Sequence, residues 1–201
     1  MRANMDGSDL ETLVQSGDFN DASVAVDKAK WCVGVAVSPK TGKFYWTQKG
    51  PSKGFQGRIF SADIHPSADG DGTISRNVQC IFQGLPEPVD LLVDEDRQIL
   101  YWTDRGELPS GNSLNRASIA ELKACRGNES SVEEQDYEVI VRDLHEAVGL
   151  DLDQRSGQMY VTDLGGCVYR FDRDGKRKQR LYEDEGAFTG IALAWPSTQS
   201  T

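Results

Sequence analysis

The sequence predicts an all-β fold assembled from repeated four-stranded antiparallel units. Its first sign is DLLVDEDRQILYWTD at 90–104, two short apolar runs around a charged turn, closed by Tyr-Trp-Thr-Asp. The second is that the pattern returns, as GLDLDQRSGQMYVTD at 149–163 after a shift of 59, and as GVAVSPKTGKFYWTQ at 34–48 after a shift of 56 the other way. The third is that residues 33–194 offer no sustained 3.6-residue period, apart from a helical turn or two expected at Ser118–Arg126. Self-similarity at a near-constant spacing, with strand-length apolar runs, is the mark of a repeat architecture built from β-strands.

Register fixes the elements in chain order. Arg2-Ala3-Asn4-Met5-Asp6-Gly7 repeats the spacing of Arg170-Phe171-Asp172-Arg173-Asp174-Gly175, so residues 1–15 read as the end of a unit: a third strand, then Leu13-Val14 as the fourth. Three full units follow at 33–83, 88–142 and 147–182. In each, an apolar first strand and a tyrosine-bearing second strand flank a turn, at Pro39–Gly42, Asp94–Asp96 and Gln154–Gly157. Pro, Gly and Asp at such positions supply the backbone angles of a hairpin. Third strands are expected at Ile59–Ala62, Leu114–Ala117 and Val168–Phe171, and fourth strands at Val78–Phe82, Tyr137–Val141 and Gln179–Tyr182. Finally Thr189–Leu193 matches Val148–Leu152, so 188–194 reads as the first strand of a further unit.

First and second strands that are apolar on both faces must be covered on both faces. Units stacked face to face around a central channel do this, which is the arrangement of a β-propeller with blades of ~40–45 residues. The longer spacing found here is absorbed by polar insertions at 49–57, 66–75, 106–112 and 125–135.

The YWTD and VTD endings, the Arg-x-x-x-Asp-Gly step and the small-apolar-Asp first strand resemble the YWTD repeat, also called the low-density-lipoprotein-receptor class B repeat. The resemblance runs over nearly the whole chain. It implies a six-bladed propeller in which Tyr45, Trp46, Thr47, Tyr101, Trp102, Thr103, Asp104, Tyr160, Thr162 and Asp163 are framework residues, with Asp104 and Asp163 bonding between blades. Gln48 stands where the pattern has that aspartate. Six blades of ~40 residues need about 240 residues before any insertion. The 201 residues here hold three complete units, half a unit at the start and one strand at the end. A partial or truncated member is therefore expected, a fragment or an arc that another chain completes. An open arc exposes apolar blade faces, which favours self-association.

Composition narrows the partners. Thirty-two acidic against 22 basic residues give a net charge of −10, which disfavours nucleic acid and anionic membranes. No apolar run approaches the ~20 residues of a membrane span, and MRANMDGSDLETLV lacks the apolar core of a signal peptide. If Met1 is the true start, the expected compartment is the cytoplasm. Cys32, Cys80, Cys125 and Cys167 include no C-x-x-C pair and read as buried thiols rather than disulfides. Asn128-Glu129-Ser130 is a lone glycosylation sequon.

No catalytic set emerges. His65 and His145 lie in loops away from any cysteine at ligand spacing, so they read as surface residues. The acidic runs at Asp69–Asp71, Asp94–Asp96 and Asp172–Gly175 lack the ligand order of a calcium loop and read as turns. A ligand is expected on one propeller face, at the loops after the YWTD strands and before the first strands: Lys49, Lys53, Glu87, Arg105, Glu107, Glu146, Leu164 and Glu185. The expected function is a non-enzymatic module for a protein or small-molecule ligand, without a cofactor. The alternative is a propeller enzyme of small-molecule metabolism, lactonase-, hydrolase- or isomerase-like, with a channel-bound substrate. Calcium enters only under that alternative.

Overall fold

The protein is described by a computed structural model, which covers residues 1–68, 72, 74–125, 136–184 and 186–195. The expected loop residue Glu185, the acidic run Asp69–Asp71, the sequon at Asn128 and most of the 125–135 insertion lie outside the described residues.

Hairpins with the expected turns pair into three four-stranded antiparallel sheets. The first contains β1 (Cys32–Ser38), β2 (Lys43–Gln48), β3 (Gly57–Asp63) and, after a small excursion through β4 (Ser67–Ala68) and β5 (Ile74–Ser75), β6 (Gln79–Leu85). The second contains β7 (Pro88–Asp94), β8 (Ile99–Asp104), β9 (Ser113–Ser118) and β10 (Glu138–Val141). The third contains β11 (Ala147–Asp153), β12 (Gln158–Asp163), β13 (Val168–Asp172) and β14 (Gln179–Tyr182). The helical content expected at Ser118–Arg126 is a single 3₁₀ turn, Ile119–Glu121. Single turns also occur at Ala22–Ala25, capped by Asp21, and at Lys28–Lys30, capped by Asp27.

Register makes the three sheets equivalent. Tyr45 stands opposite Ala36 and Ser61, Tyr101 opposite Leu92 and Arg116, and Tyr160 opposite Asp151 and Arg170. Each first-strand pairing is interrupted at the same place, between Cys32 and Val35, Pro88 and Leu91, and Ala147 and Leu150.

The sheets lie face to face in a row. Tyr45, Ile59 and Ile81 of the first meet Leu91, Val93, Leu100 and Trp102 of the second. Tyr101, Leu114 and Val141 of the second meet Leu150, Leu152, Met159, Val161 and Phe171 of the third. A strand covered on both sides has no polar face, and β2 and β8 are accordingly buried from their second residue to their last. In β12 the same pattern breaks at Tyr160, which is half-buried.

The two ends depart from expectation. Leu13-Val14 forms no fourth strand: a single bridge, Arg2 to Glu11, precedes it, and both residues pack on Phe44, Trp46 and Ala62 of the first sheet. The turn before it does match the third unit. Asn4 N bonds Ser8 O as Asp172 N bonds Lys176 O, and Gly7 N bonds Asn4 O as Gly175 N bonds Asp172 O. Residues 188–194 form no strand either, because no second strand lies beside them to complete a ladder among the described residues. They still dock on β11, where Leu193 N donates to Asp151 Oδ2 at 2.7 Å.

Candidate functional site

The threonine of each repeat sits at the interruption in the first-strand pairing. There the backbone turns one amide away from the ladder, and the hydroxyl takes it. Gly34 N donates to Thr47 Oγ1 at 2.9 Å, Asp90 N to Thr103 Oγ1 at 3.1 Å, and Gly149 N to Thr162 Oγ1 at 3.1 Å. The hydroxyl then donates to the next sheet: Thr47 Oγ1 to Val89 O at 2.7 Å, and Thr103 Oγ1 to Val148 O at 2.8 Å. Gly34 allows this approach, since a Cβ there would lie 2.3 Å from Val89 O. A further tie runs from Leu150 N to Asp90 Oδ2 at 3.0 Å.

The aspartates bond at the linkers that join one sheet to the next. Asp104 Oδ1 accepts from Glu87 N at 3.0 Å and from Gly106 N at 2.8 Å. Asp163 accepts from Cys167 N at 2.8 Å and from His145 N at 3.1 Å. Both therefore fasten the linker entering their own sheet to the loop leaving its second strand, while the threonine hydroxyls of the first two sheets bond directly to the next sheet. Gln48 makes neither contact and lies 3.9 Å from Cys32 Sγ. Of the framework residues, Tyr45, Trp46, Thr47, Tyr101, Trp102, Thr103, Asp104, Thr162 and Asp163 are buried and out of a ligand's reach.

By fastening linker to loop, the aspartates gather several expected ligand-face residues at one end of the row. Glu87 is the centre, a buried carboxylate that Arg105 reaches at 3.0 Å and Lys49 at 3.2 Å. Burial alone would raise its pKa, but bonds to Arg105 and Lys49 outweigh burial and hold it below the usual carboxylate range. Lys53 and Glu107 pair at 3.2 Å across the same two loops. Asp104, by contrast, is pushed up to about 7, chiefly by burial, with Glu87 adding repulsion and the two amide bonds opposing it. Its Oδ2 is buried with no partner.

Glu146 and Leu164 are joined only through Leu164 N to Glu146 O at 3.2 Å, the counterpart of Arg105 N to Glu87 O at 3.1 Å. The cluster thus spans the first and second sheets and stops short of the third. The same loops also present Phe55 and Leu108, 44% and 63% exposed. Phe55 and Lys53 sit at φ 48° and 59°, a left-handed backbone that a bulky residue adopts only under constraint. Neither apolar residue stands out in the sequence, because a lone Phe or Leu in a polar insertion carries no periodic signal.

The remaining chemistry is structural. Asp94 Oδ1 accepts from the amides of Asp96 and Arg97, and Asp172 Oδ1 from those of Asp174 and Lys176, so these acidic runs close turns. No three His, Cys, Asp or Glu side chains are grouped to hold a metal among the described residues. His65 and His145 are exposed. The expectation of buried thiols holds for Cys167 alone: Cys32 is exposed, and Cys80 and Cys125 are partly so. No helix among the described residues is long and apolar enough to cross a membrane.

No family model matches the chain. It is 43% identical over 194 residues to the 3-hydroxyacyl-CoA dehydrogenase-like protein LAM1 of Cochliobolus heterostrophus, covering 96% of this chain and 41% of that protein. It is 44% identical over 193 residues to the low-density lipoprotein receptor-related protein 1 of Pyricularia oryzae, covering 96% of this chain and 60% of that one. The chain spans about half the length of these curated relatives.

Proposed function

We propose that the chain is an arc of a YWTD-type β-propeller and serves as a non-enzymatic module that binds a protein or small-molecule ligand on its loop face. Three units in one register, tied by the same threonine contact, support the propeller type. The stripe Val33, Val35 and Val37 supports the arc, because these side chains are 47–64% exposed. Their counterparts Leu91, Val93, Leu150 and Leu152 are buried by the preceding sheet. Further repeats, or a second copy of the chain, would cover that stripe.

One observation carries the binding role: Phe55 and Leu108 stand exposed beside the Lys53–Glu107 pair on loops anchored by the buried Glu87 cluster. Apolar anchors ringed by charge, on a rigid base, are the composition of protein-binding hot spots. The name of the Pyricularia relative agrees with an interaction role. The test is selection of a displayed peptide library against the folded chain. Phe55→Ala with Leu108→Ala should weaken the selected peptides at least ~10-fold without moving the melting temperature. Peptides that bind the double variant equally well would overturn the assignment of the face.

The enzyme alternative has one observation in its favour. Asp104 and Glu87 are neighbouring carboxyls pushed to opposite sides of their usual range, a pattern that acid–base sites share. The name of the Cochliobolus relative is that of a dehydrogenase-like protein. Against it, Asp104 is 1% exposed, so a substrate could not reach it without movement. Stabilisation by calcium, or by small lactones or esters, would favour this alternative over the binding module.

A further inference from the structure

The insertion after β9 brings Cys125 back over the first sheet. Its amide donates to the carbonyl of Cys80, in β6, at 2.8 Å; the Cys80 thiol itself donates to Phe82 O at 3.3 Å. Burial raises the pKa of that thiol, and the Cys125 thiol lies close enough to push it up further. Ile119 and Leu122, just before Cys125, and Tyr137 pack into the core between the first and second sheets. One amide-to-carbonyl bond holds the two backbones at about the spacing of neighbouring strands, ~5 Å, which is within the ~4.4–6.8 Å between Cα atoms that a disulfide spans. The other two cysteines meet no thiol among the described residues: the Cys32 sulfur faces Lys30 O and Gln48 Nε2, and Cys167 is buried in the third sheet.

We propose that Cys80 and Cys125 form a redox pair that closes to a disulfide, clasping the second unit's insertion to the outer strand of the first. Both are free thiols here. The oxidant is a small disulfide such as glutathione disulfide. Cys125 loses its proton and its sulfur attacks one sulfur of that disulfide, expelling a glutathione thiolate and forming a mixed disulfide. Cys80 then loses its proton, attacks the Cys125 sulfur and expels the second glutathione thiolate. Two protein thiols are oxidised, one disulfide is reduced, and the two released protons leave on the two glutathiones. Burial pushes the Cys80 thiol up to about 12, with Cys125 adding to the shift, and burial also raises Cys125. Exchange is therefore slow at neutral pH and quickens as pH rises, since only the thiolate attacks. Closure joins segments 45 positions apart, a long loop whose constraint acts on the unfolded chain.

The test incubates the full chain with glutathione disulfide at alkaline pH, blocks remaining thiols with iodoacetamide and maps the peptides by mass spectrometry. A Cys80–Cys125 linked peptide with Cys32 alkylated is expected, together with a melting temperature raised by roughly 5–10 °C. Cys125→Ser should abolish both the link and the shift, while Cys32→Ser with Cys167→Ser should preserve them. Because the Cys125 side chain is partly exposed, that comparison stands even if Cys80→Ser fails to fold. Recovery of Cys80 and Cys125 both alkylated, or linked to Cys32 instead, would overturn the proposal.

Discussion

Replacing Thr103 by valine keeps the side chain's shape and deletes one hydroxyl with two partners. Thr103 is fully buried; its oxygen accepts the Asp90 amide at 3.1 Å and donates to the Val148 carbonyl at 2.8 Å. Both partners are backbone groups between packed sheets, where water cannot replace the lost contact. Each buried group left unpaired costs about 1–3 kcal/mol, so Thr103→Val should destabilise by about 2–4 kcal/mol after partial relaxation. Thr47→Val orphans the same two kinds of group, Gly34 N and Val89 O, and should cost a similar amount. Thr162→Val is the internal control, since among the described residues the Thr162 hydroxyl bonds only Gly149 N, and it should cost about half as much. Urea unfolding followed by tryptophan fluorescence measures all three, and an unchanged m-value shows that the same surface is exposed in each. Equal losses for Thr103 and Thr162, or a loss under about 0.5 kcal/mol for Thr103, would refute the claim that this hydroxyl holds the second sheet to the third.

Two further outcomes follow from the same geometry. The Asp104 carboxyl is raised from 3.8 to about 7, so the folded state favours its neutral form: the associated stability is complete below about pH 4 and is lost as pH rises through about 7. Asp104→Asn keeps the Oδ1 acceptor for Glu87 N and Gly106 N, so it should gain on the parent by up to about 4 kcal/mol between pH 4 and 8; parallel pH–stability curves would contradict this. Val35→Lys, on the exposed stripe, should leave the melting temperature nearly unchanged while reducing concentration-dependent sedimentation, whereas Leu91→Ala, its buried counterpart, should cost about 2–5 kcal/mol. A melting temperature that collapses in Val35→Lys would show that the stripe is already covered within this chain.

The repeat was legible because a strand covered on both faces must write apolar residues at consecutive positions, as β2 and β8 do, and because Tyr45, Tyr101 and Tyr160 mark one position in three units. Turn chemistry was equally legible, since Asp94 and Asp172 close their turns through their own side chains and need no distant partner. The contacts between sheets were not. A sequence shows that threonine and aspartate recur, but which of the two reaches the neighbouring sheet depends on which way a bulged amide points, and a one-dimensional pattern holds nothing about that direction. The ends show the same limit. Leu13-Val14 and Thr189–Leu193 have strand composition, yet a strand is a relation between two segments, and each lacks a pairing strand among the described residues. Glu87, Lys49 and Arg105 were expected on one face but not as a single ion cluster, because their convergence depends on Asp104 drawing the linker against the loop.

Hydrophobic burial alone cannot set the spacing of these sheets. It is non-directional, and two flat apolar faces can slide past one another while burying nearly the same area. The hydroxyl relay removes that freedom, because a bond from Thr47 to Val89, and another from Thr103 to Val148, is lost on any slip of a residue or more. Fixing the first strands relative to each other also fixes the linkers that enter them, and Asp104 and Asp163 pass that position on to the loops. The Glu87 cluster then sits on a base whose register is set by directional bonds, with Phe55 and Leu108 exposed on the loops it joins. Under the proposed binding role, a ligand meeting that face would find little conformational entropy left to remove, which is the condition under which a few exposed anchors bind well. Loosening the relay should therefore weaken ligand binding before it unfolds the chain: Thr103→Val should lose affinity for peptides selected on the loop face although no substituted atom lies there.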